Sequence, residues 1–314
     1  MPTSAPTVEE TYKLAQQLLT QQKSKKVVNL AAMLLKHDGW NMTYQALYMD
    51  ALIQLAQRDG TSLNRRLELL EGALRFGVHL DKVETLYFDT LDKLLARKNR
   101  LPAPGKLVIG LGPGRNGSTS LATLLSTIDG SFITHESYPM IFADPTPAQL
   151  AFHIKKFHRL LPYCTWVGDV SHWWIYATDK LRREFPGVKF ITLNRKPGQI
   201  IDSFQRVKGL GKGSNNHWTP SSEDYWSKSF WDFSYPDYPL PNFVGTKEQK
   251  RANQIASYVA EYYYRAHNIR GDNLMLHLDT LDSKGRLSLQ VYLGILIKEQ
   301  EVWKNKGGIQ DSFA

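Results

Sequence analysis

Between about Val8 and Arg100, apolar residues recur at helical spacing in Tyr12–Leu19, Val27–Leu35, Ala46–Leu55, Leu67–Leu74 and Val83–Leu95. The pattern predicts an all-α N-terminal region. Breaks are expected at Asp38-Gly39, Asp59-Gly60 and Phe76-Gly77, where glycine can end a helix in a left-handed conformation. The segments Leu14–Leu19 and Leu52–Gln57 lie roughly 38 residues apart, as do Gly39 and Gly77, which is near the period of helix-pair repeats. Asn99–Lys106 (NRLPAPGK) follows, a Pro/Gly-bearing linker that divides a helical region, 1–100, from a second domain, 101–314.

Past the linker the texture changes. Short apolar runs at Lys106–Leu111, Thr165–Val170, Val188–Leu193 and Asn273–Leu278 read as buried strands. Amphipathic segments follow at Ser118–Ile128, His172–Phe185, Gly198–Val207 and Arg286–Ile297. Strands alternating with helices imply an α/β fold, a parallel sheet flanked by helices, with ligands at the carboxyl ends of the strands.

Composition narrows the classes. A hydrophobic share of 42% with 22% charged residues suits a globular chain rather than a disordered one. One cysteine, Cys164, rules out an internal disulfide framework and fits a reducing compartment. The polar N-terminus has no apolar core of a signal peptide, and no run is long enough to span a bilayer, so the expected location is cytoplasmic. The net charge of +9 is spread along the chain in short clusters such as Lys23–Lys26 and Lys304–Lys306. It supports anion binding in general without choosing the anion; no nucleic-acid partner and no membrane span are expected.

The chemistry concentrates in Gly110–Leu121 (GLGPGRNGSTSL), after the first strand and before a helix. Glycines can turn backbone N–H groups inward, and a helix N-terminus adds partial positive charge, so the loop suits a phosphate. Ser118, Thr119 and Ser120 can add hydroxyl donors or cap the helix. Gly112 and Gly117 are spaced as in a Walker A loop, but Ser118 stands where its lysine would be. A different cation, Arg115, precedes Gly117. After the strand Val188–Leu193 comes Asn194-Arg195-Lys196-Pro197, and Ser203 lies eight residues beyond Arg195, about two helical turns along.

Arg115-Asn116-Gly117-Ser118-Thr119 resembles the 5′-phosphosulfate loop of sulfotransferases that use 3′-phosphoadenosine-5′-phosphosulfate (PAPS). Arg195 with Ser203 resembles the family's 3′-phosphate site. Ser120 replaces the tryptophan of the cytosolic members, which places the chain closer to bacterial and Golgi-type ones. The resemblance spans about Lys106–Leu296 and implies a P-loop-like sulfotransferase domain. The donor would be held by Gly114, Arg115, Asn116, Gly117, Ser118, Thr119, Ser120, Arg195 and Ser203. No metal is required, because a sulfuryl group carries less charge than a phosphoryl group. The helical region similarly resembles degenerate tetratricopeptide-type hairpins, although most signature residues are missing and a plain bundle fits equally.

Sulfuryl transfer needs a cation at the leaving oxygen, in-line placement and a base for the acceptor. Arg115 is the candidate cation. For the base the resemblance favours Glu136, at the end of the strand Phe132–Thr134. His135 has the better side-chain chemistry near neutrality, but would point the opposite way if the strand continued. Gly168-Asp169-Val170-Ser171-His172 resembles the family strand that lines the acceptor side. His172 is there a second base, an acceptor contact or a helix-start residue, and Trp173 and Trp174 look like packing. The aromatic-rich stretch Lys208–Gly245 is an acceptor lid walled by Trp218, Tyr225, Trp226 and Trp231, or an insertion packed on the sheet. Lys304–Gly308 is a basic loop near the 3′-phosphate or a solvated tail. The expected partners are the nucleotide donor and an unidentified hydroxyl or amine acceptor. The N-terminal helices offer a surface for a protein partner or for self-association. The alternatives are a non-catalytic nucleotide-binding scaffold and a small-molecule kinase.

Overall fold

A computed structural model describes residues 6–38, 41–75, 80–139, 147–207, 244–278 and 283–296. They divide into two units, one ending at Arg97 and the other beginning at Lys98.

The first unit is helical: α1 Val8–Thr20, α2 Ser24–His37, α3 Met42–Ala56, α4 Leu63–Leu74 and α5 Leu80–Leu95. Polar residues start the helices. Thr7 and Glu10 form a reciprocal capping box on α1, the Asn41 side chain accepts from the first turn of α3, and Ser62 does the same for α4. Each helix packs on its neighbour in sequence, and Ala15, Val27, Ala31, Leu34, Leu47 and Ala51 form a core shared by the first three. Gly60 takes a positive φ of 79°, as the break after α3 requires. The turn between α1 and α2 uses Gln22 at φ 57°, where no glycine marks it. Gly39, Phe76 and Gly77 lie outside the described residues.

The second unit is built on five parallel strands: β1 Lys106–Leu111, β2 Phe132–His135, β3 Trp166–Val170, β4 Lys189–Asn194 and β5 Asn273–His277, in the order β2-β3-β1-β4-β5. Strand β1 has a neighbour on both sides and helices above and below. All its residues after Lys106 are therefore buried, which explains its unbroken apolar run. Between them run α6 Ser118–Ser126, α7 Pro147–Leu160, α8 Thr178–Glu184, α9 Pro197–Val207 and α10 Lys247–His267, and α11 Ser283–Leu293 follows β5. Leu121, Leu124 and Leu125 of α6, with Leu289 and Leu293 of α11, pack on Val108, Val170, Ile191 and Leu193. Arg182 of α8 lies over the Phe190 ring, whose side chain points to the other face. The fold is thus α/β, a parallel sheet between helices. Among the described residues no helix is long and apolar enough to cross a membrane.

Two helices escaped the sequence pattern. In α7 the buried stripe is Leu150, His153, Phe157 and Leu160, with Gln149 and Lys156 also buried, so polar residues interrupt the apolar signal. In α10 the stripe is Ile255, Tyr258, Val259, Tyr262, Tyr263 and Ala266, a helical spacing that shows only when tyrosine is counted as apolar. The segment expected as one helix over His172–Phe185 is a 3-10 turn, His172–Tyr176, followed by α8.

Burial pushes the hydroxyls of Tyr263 and Tyr292 up to about 12, from 10. The folded chain therefore keeps both protons at a pH where the unfolded chain has lost them. This contribution to stability is intact below about pH 10 and is lost as pH rises from 10 towards 12. Urea unfolding at pH 9 and pH 11.5 should show a fall in stability over that window, and a smaller fall in Tyr263→Phe.

Candidate functional site

Strand β1 turns left and β4 turns right in the strand order, so the crevice at their carboxyl ends is where an open α/β sheet holds a ligand. The loop after β1 carries three departures from ordinary backbone: Gly114 at φ 86°, Arg115 at φ 54° and Gly117 at φ 92°. Gly117 itself is the N-cap of α6 and makes no side-chain cap bond, so the cap expected from Ser118, Thr119 or Ser120 is a left-handed glycine instead. A Cβ on Gly117 would also come within 2.3 Å of Leu278, just past β5. The helix N-terminus is left to whatever sits in the loop.

The left-handed Arg115 is held by neighbours. Its carbonyl accepts from Arg195 Nη1 at 2.8 Å, and its own Nε donates to Ser203 Oγ at 3.2 Å. Ser203, buried on α9, thus reaches the same place as Arg195 but bonds to the other arginine. Arg195 Nε is fixed by Gln199 Oε1 at 3.1 Å. Burial pushes the Arg115 guanidinium below its usual range, Arg195 and Arg206 push it the same way, and Glu136 opposes them. Three guanidiniums and a carboxylate therefore act on one another here. Arg206, one turn past Ser203, was not among the residues singled out from sequence; its i+3 spacing from Ser203 was the available signal.

Asn116 is fully buried and its side chain turns beneath the loop, Nδ2 donating to the Leu193 carbonyl at 3.0 Å. The amide sits where a Cβ on Gly112 would be, 1.6 Å from Nδ2, so Gly112 is the space Asn116 needs. What Asn116 can offer a ligand is its backbone. Thr119 is exposed and Ser120 half-buried on the first turn of α6.

On the other side of the crevice, strand β2 ends at His135, and Glu136 takes a left-handed φ of 53° with its N–H on the Val170 carbonyl. The alternation expected of a continuing strand stops there. His135 is accordingly not turned away: its Nε2 lies 3.0 Å from Ser118 Oγ. Glu136 Oε1 lies 3.8 Å from Nδ1 of His172, with the glutamate 42% exposed and the histidine 5%. Of the two, Glu136 is the one that solvent and an incoming molecule can meet.

Asp169, expected to line the acceptor side, does not. It is fully buried and accepts four hydrogen bonds, from Thr134 Oγ1, the Ser137 N–H, Ser171 Oγ and Trp174 Nε1. Its charge is spent on holding the end of β2 and the residues after Glu136 against β3. Trp174 also meets His153 edge-on at 5.0 Å, and His153 Nε2 lies 2.7 Å from the Pro139 carbonyl.

Helix α10 supplies what sequence reasoning missed. Tyr258 donates to the Pro113 carbonyl at 2.8 Å. Tyr262 accepts the Gly112 N–H at 2.8 Å and donates to the His172 carbonyl at 3.0 Å. Tyr263 accepts the Arg195 N–H at 3.0 Å and donates to the Leu193 carbonyl at 3.2 Å. Three hydroxyls of one helix therefore hold the loops after β1, β3 and β4. The proposed lid residues Trp218, Tyr225, Trp226 and Trp231, and the basic segment Lys304–Gly308, lie outside the described residues. No group of acidic, histidine or cysteine side chains that could hold a metal ion occurs among the described residues.

No protein-family model matches the chain, and no curated protein matches it. Among solved structures it is similar to a sulfotransferase from Alicyclobacillus acidocaldarius, at 14% identity and a TM-score of 0.36, over 65% of this chain and 87% of that one.

Asp169→Ala would leave four donors facing an empty site. Its stability to urea should fall by about 3–5 kcal/mol, the cost of breaking a buried charged network. Gly117→Ala, strained by its φ and crowded by Leu278, should lose about 1–2 kcal/mol.

Proposed function

We propose that the second unit is a sulfotransferase that moves a sulfuryl group from PAPS to a hydroxyl or amine acceptor. The observation that carries this reading is the joining of two anion-binding loops. Arg115 bonds Ser203 and Arg195 bonds the Arg115 carbonyl, so a donor with two phosphate positions would meet both loops at once. Mutual repulsion among Arg115, Arg195 and Arg206 would be relieved by such an anion. The left-handed loop and the helix N-terminus suit its 5′ end. Ser118 in place of the Walker lysine weighs against a nucleoside triphosphate.

When bound, the donor supplies an activated sulfuryl group whose leaving group is the 5′-phosphate of adenosine 3′,5′-bisphosphate. Arg115 neutralises charge that develops on that phosphate, with the first turn of α6 behind it. Arg195 and Ser203 hold the 3′-phosphate. The Glu136 carboxylate takes the acceptor's proton, and the His172 ring lies behind it at 3.8 Å. The helical unit would recruit a protein- or carrier-bound acceptor, or mediate self-association.

Thermal unfolding with adenosine 3′,5′-bisphosphate tests the donor. Ligand at about 100 times its Kd adds roughly 2.7 kcal/mol to stability and should raise Tm by several degrees. ATP with magnesium should do less; the reverse order would favour a kinase, and no response at saturating adenosine 3′,5′-bisphosphate would sink the sulfotransferase reading. With labelled donor and cell extract, Arg195→Ala should chiefly weaken donor binding, whereas Arg115→Ala should abolish transfer. Glu136→Gln should keep donor affinity and lose about 100-fold or more in turnover; near-normal turnover would move the base to His172 or His135.

A further inference from the structure

The hydroxyl of Tyr262 lies between two parts of the site that approach from different strands. On one side it accepts the N–H of Gly112, the first residue of the loop after β1. On the other it donates to the carbonyl of His172, the first residue of the 3-10 turn after β3. A phenolic hydroxyl has one proton to give, and that proton is committed to His172. Tyr262 is 1% exposed, so water does not compete for either bond. His172 in turn places its ring 3.8 Å from Glu136.

These contacts form a bonded path from the floor of the loop to the His172 backbone, whose ring stands beside Glu136 without a hydrogen bond to it. A hydroxyl that accepts a hydrogen bond becomes a better donor, so the two bonds strengthen each other. The Gly112 N–H, being engaged with Tyr262, does not serve a ligand; the loop's donors to an anion begin beyond it. A ligand that reorients the Gly112 peptide therefore acts on the Tyr262 hydroxyl, and through it on His172.

We infer that Tyr262 is a positioning residue that links the anion loop to His172, so that the state of the loop is felt at the Glu136–His172 pair. Neighbouring Tyr258 provides the control: its one hydroxyl proton goes to the Pro113 carbonyl of the same loop, whereas that of Tyr262 goes to the His172 carbonyl. The link is a property of the ligand-free chain; its use in sulfuryl transfer rests on the donor reading above.

Nuclear magnetic resonance of the full chain, with no ligand, tests the link. Tyr262→Phe should speed hydrogen exchange of the Gly112 amide by about 5- to 10-fold, the worth of one hydrogen bond, and shift the ring signals of His172. Tyr258→Phe should leave the His172 signals in place. An unmoved His172 in Tyr262→Phe, or an equal movement in both variants, overturns the inference. If Tyr262→Phe does not fold, native-state hydrogen exchange of the unaltered chain decides. Gly112 and Ala177, whose amide closes the 3-10 turn on the Trp174 carbonyl, should then open in one step below global unfolding. Separate openings would overturn the link. A last arm adds adenosine 3′,5′-bisphosphate to the unaltered chain, where binding should move the His172 signals. A ligand that binds without moving them also counts against the link. A ligand that fails to bind removes the donor reading and leaves the ligand-free result standing.

Discussion

Two adjacent parallel strands, β1 and β4, end in loops that each carry an arginine, and like charges brought so close must be restrained by other bonds. Those bonds define the crevice. The Arg195 guanidinium spends one N–H on the Arg115 carbonyl, Arg115 spends its Nε on Ser203, and Asn116 ties the first loop to the carbonyl of Leu193. Each contact fixes backbone or side-chain orientation before any ligand arrives. Preorganisation of this kind is what makes a cationic site effective, since no reorganisation is needed when charge appears.

The restraint extends outward in two layers. Under the loops, α10 contributes tyrosine hydroxyls to backbone groups that the turns leave without a helix or sheet partner. On the opposite side, Asp169 gathers Thr134, Ser137, Ser171 and Trp174, and so fixes the strand end from which Glu136 projects. A buried carboxylate with four donors is a costly device if any donor is lost, which ties the shape of the Glu136 side to the packing of β2 on β3. The two layers meet at His172, whose carbonyl is bonded to α10 and whose ring faces Glu136.

Much of this was legible from local pattern. Strand β1 showed as an apolar run because both its faces and both its edges are covered. The glycines of the first loop showed because Gly114 and Gly117 adopt backbone conformations other residues resist. Arg195 and Ser203 showed through a strand-to-helix spacing. Helix α10 did not show, because its buried stripe is half tyrosine, and α7 did not because His153 and Lys156 interrupt it. Asp169 was read as facing an acceptor, since an acidic residue at a strand's carboxyl end carries no mark of whether it points into a cleft or a core.

By itself, then, the sequence determined the α/β class of the second unit, the helical class of the first, and the positions of the glycine-bearing loop after β1 and of the arginine after β4. These follow from periodicity and from the special backbone needs of glycine and proline, both of which act over a few residues. Only the tertiary structure decided which side chains meet. The Gly112 N–H finds its partner 150 residues away, and Ser203 of α9 bonds Arg115, in the loop of the neighbouring strand, rather than Arg195. His135 and Glu136 both contribute to the crevice because the backbone turns left-handed at Glu136, a choice made by its hydrogen bond to Val170 and not by its residue type. Contacts of that range depend on the order and register of strands, for which the chain carries no local signal.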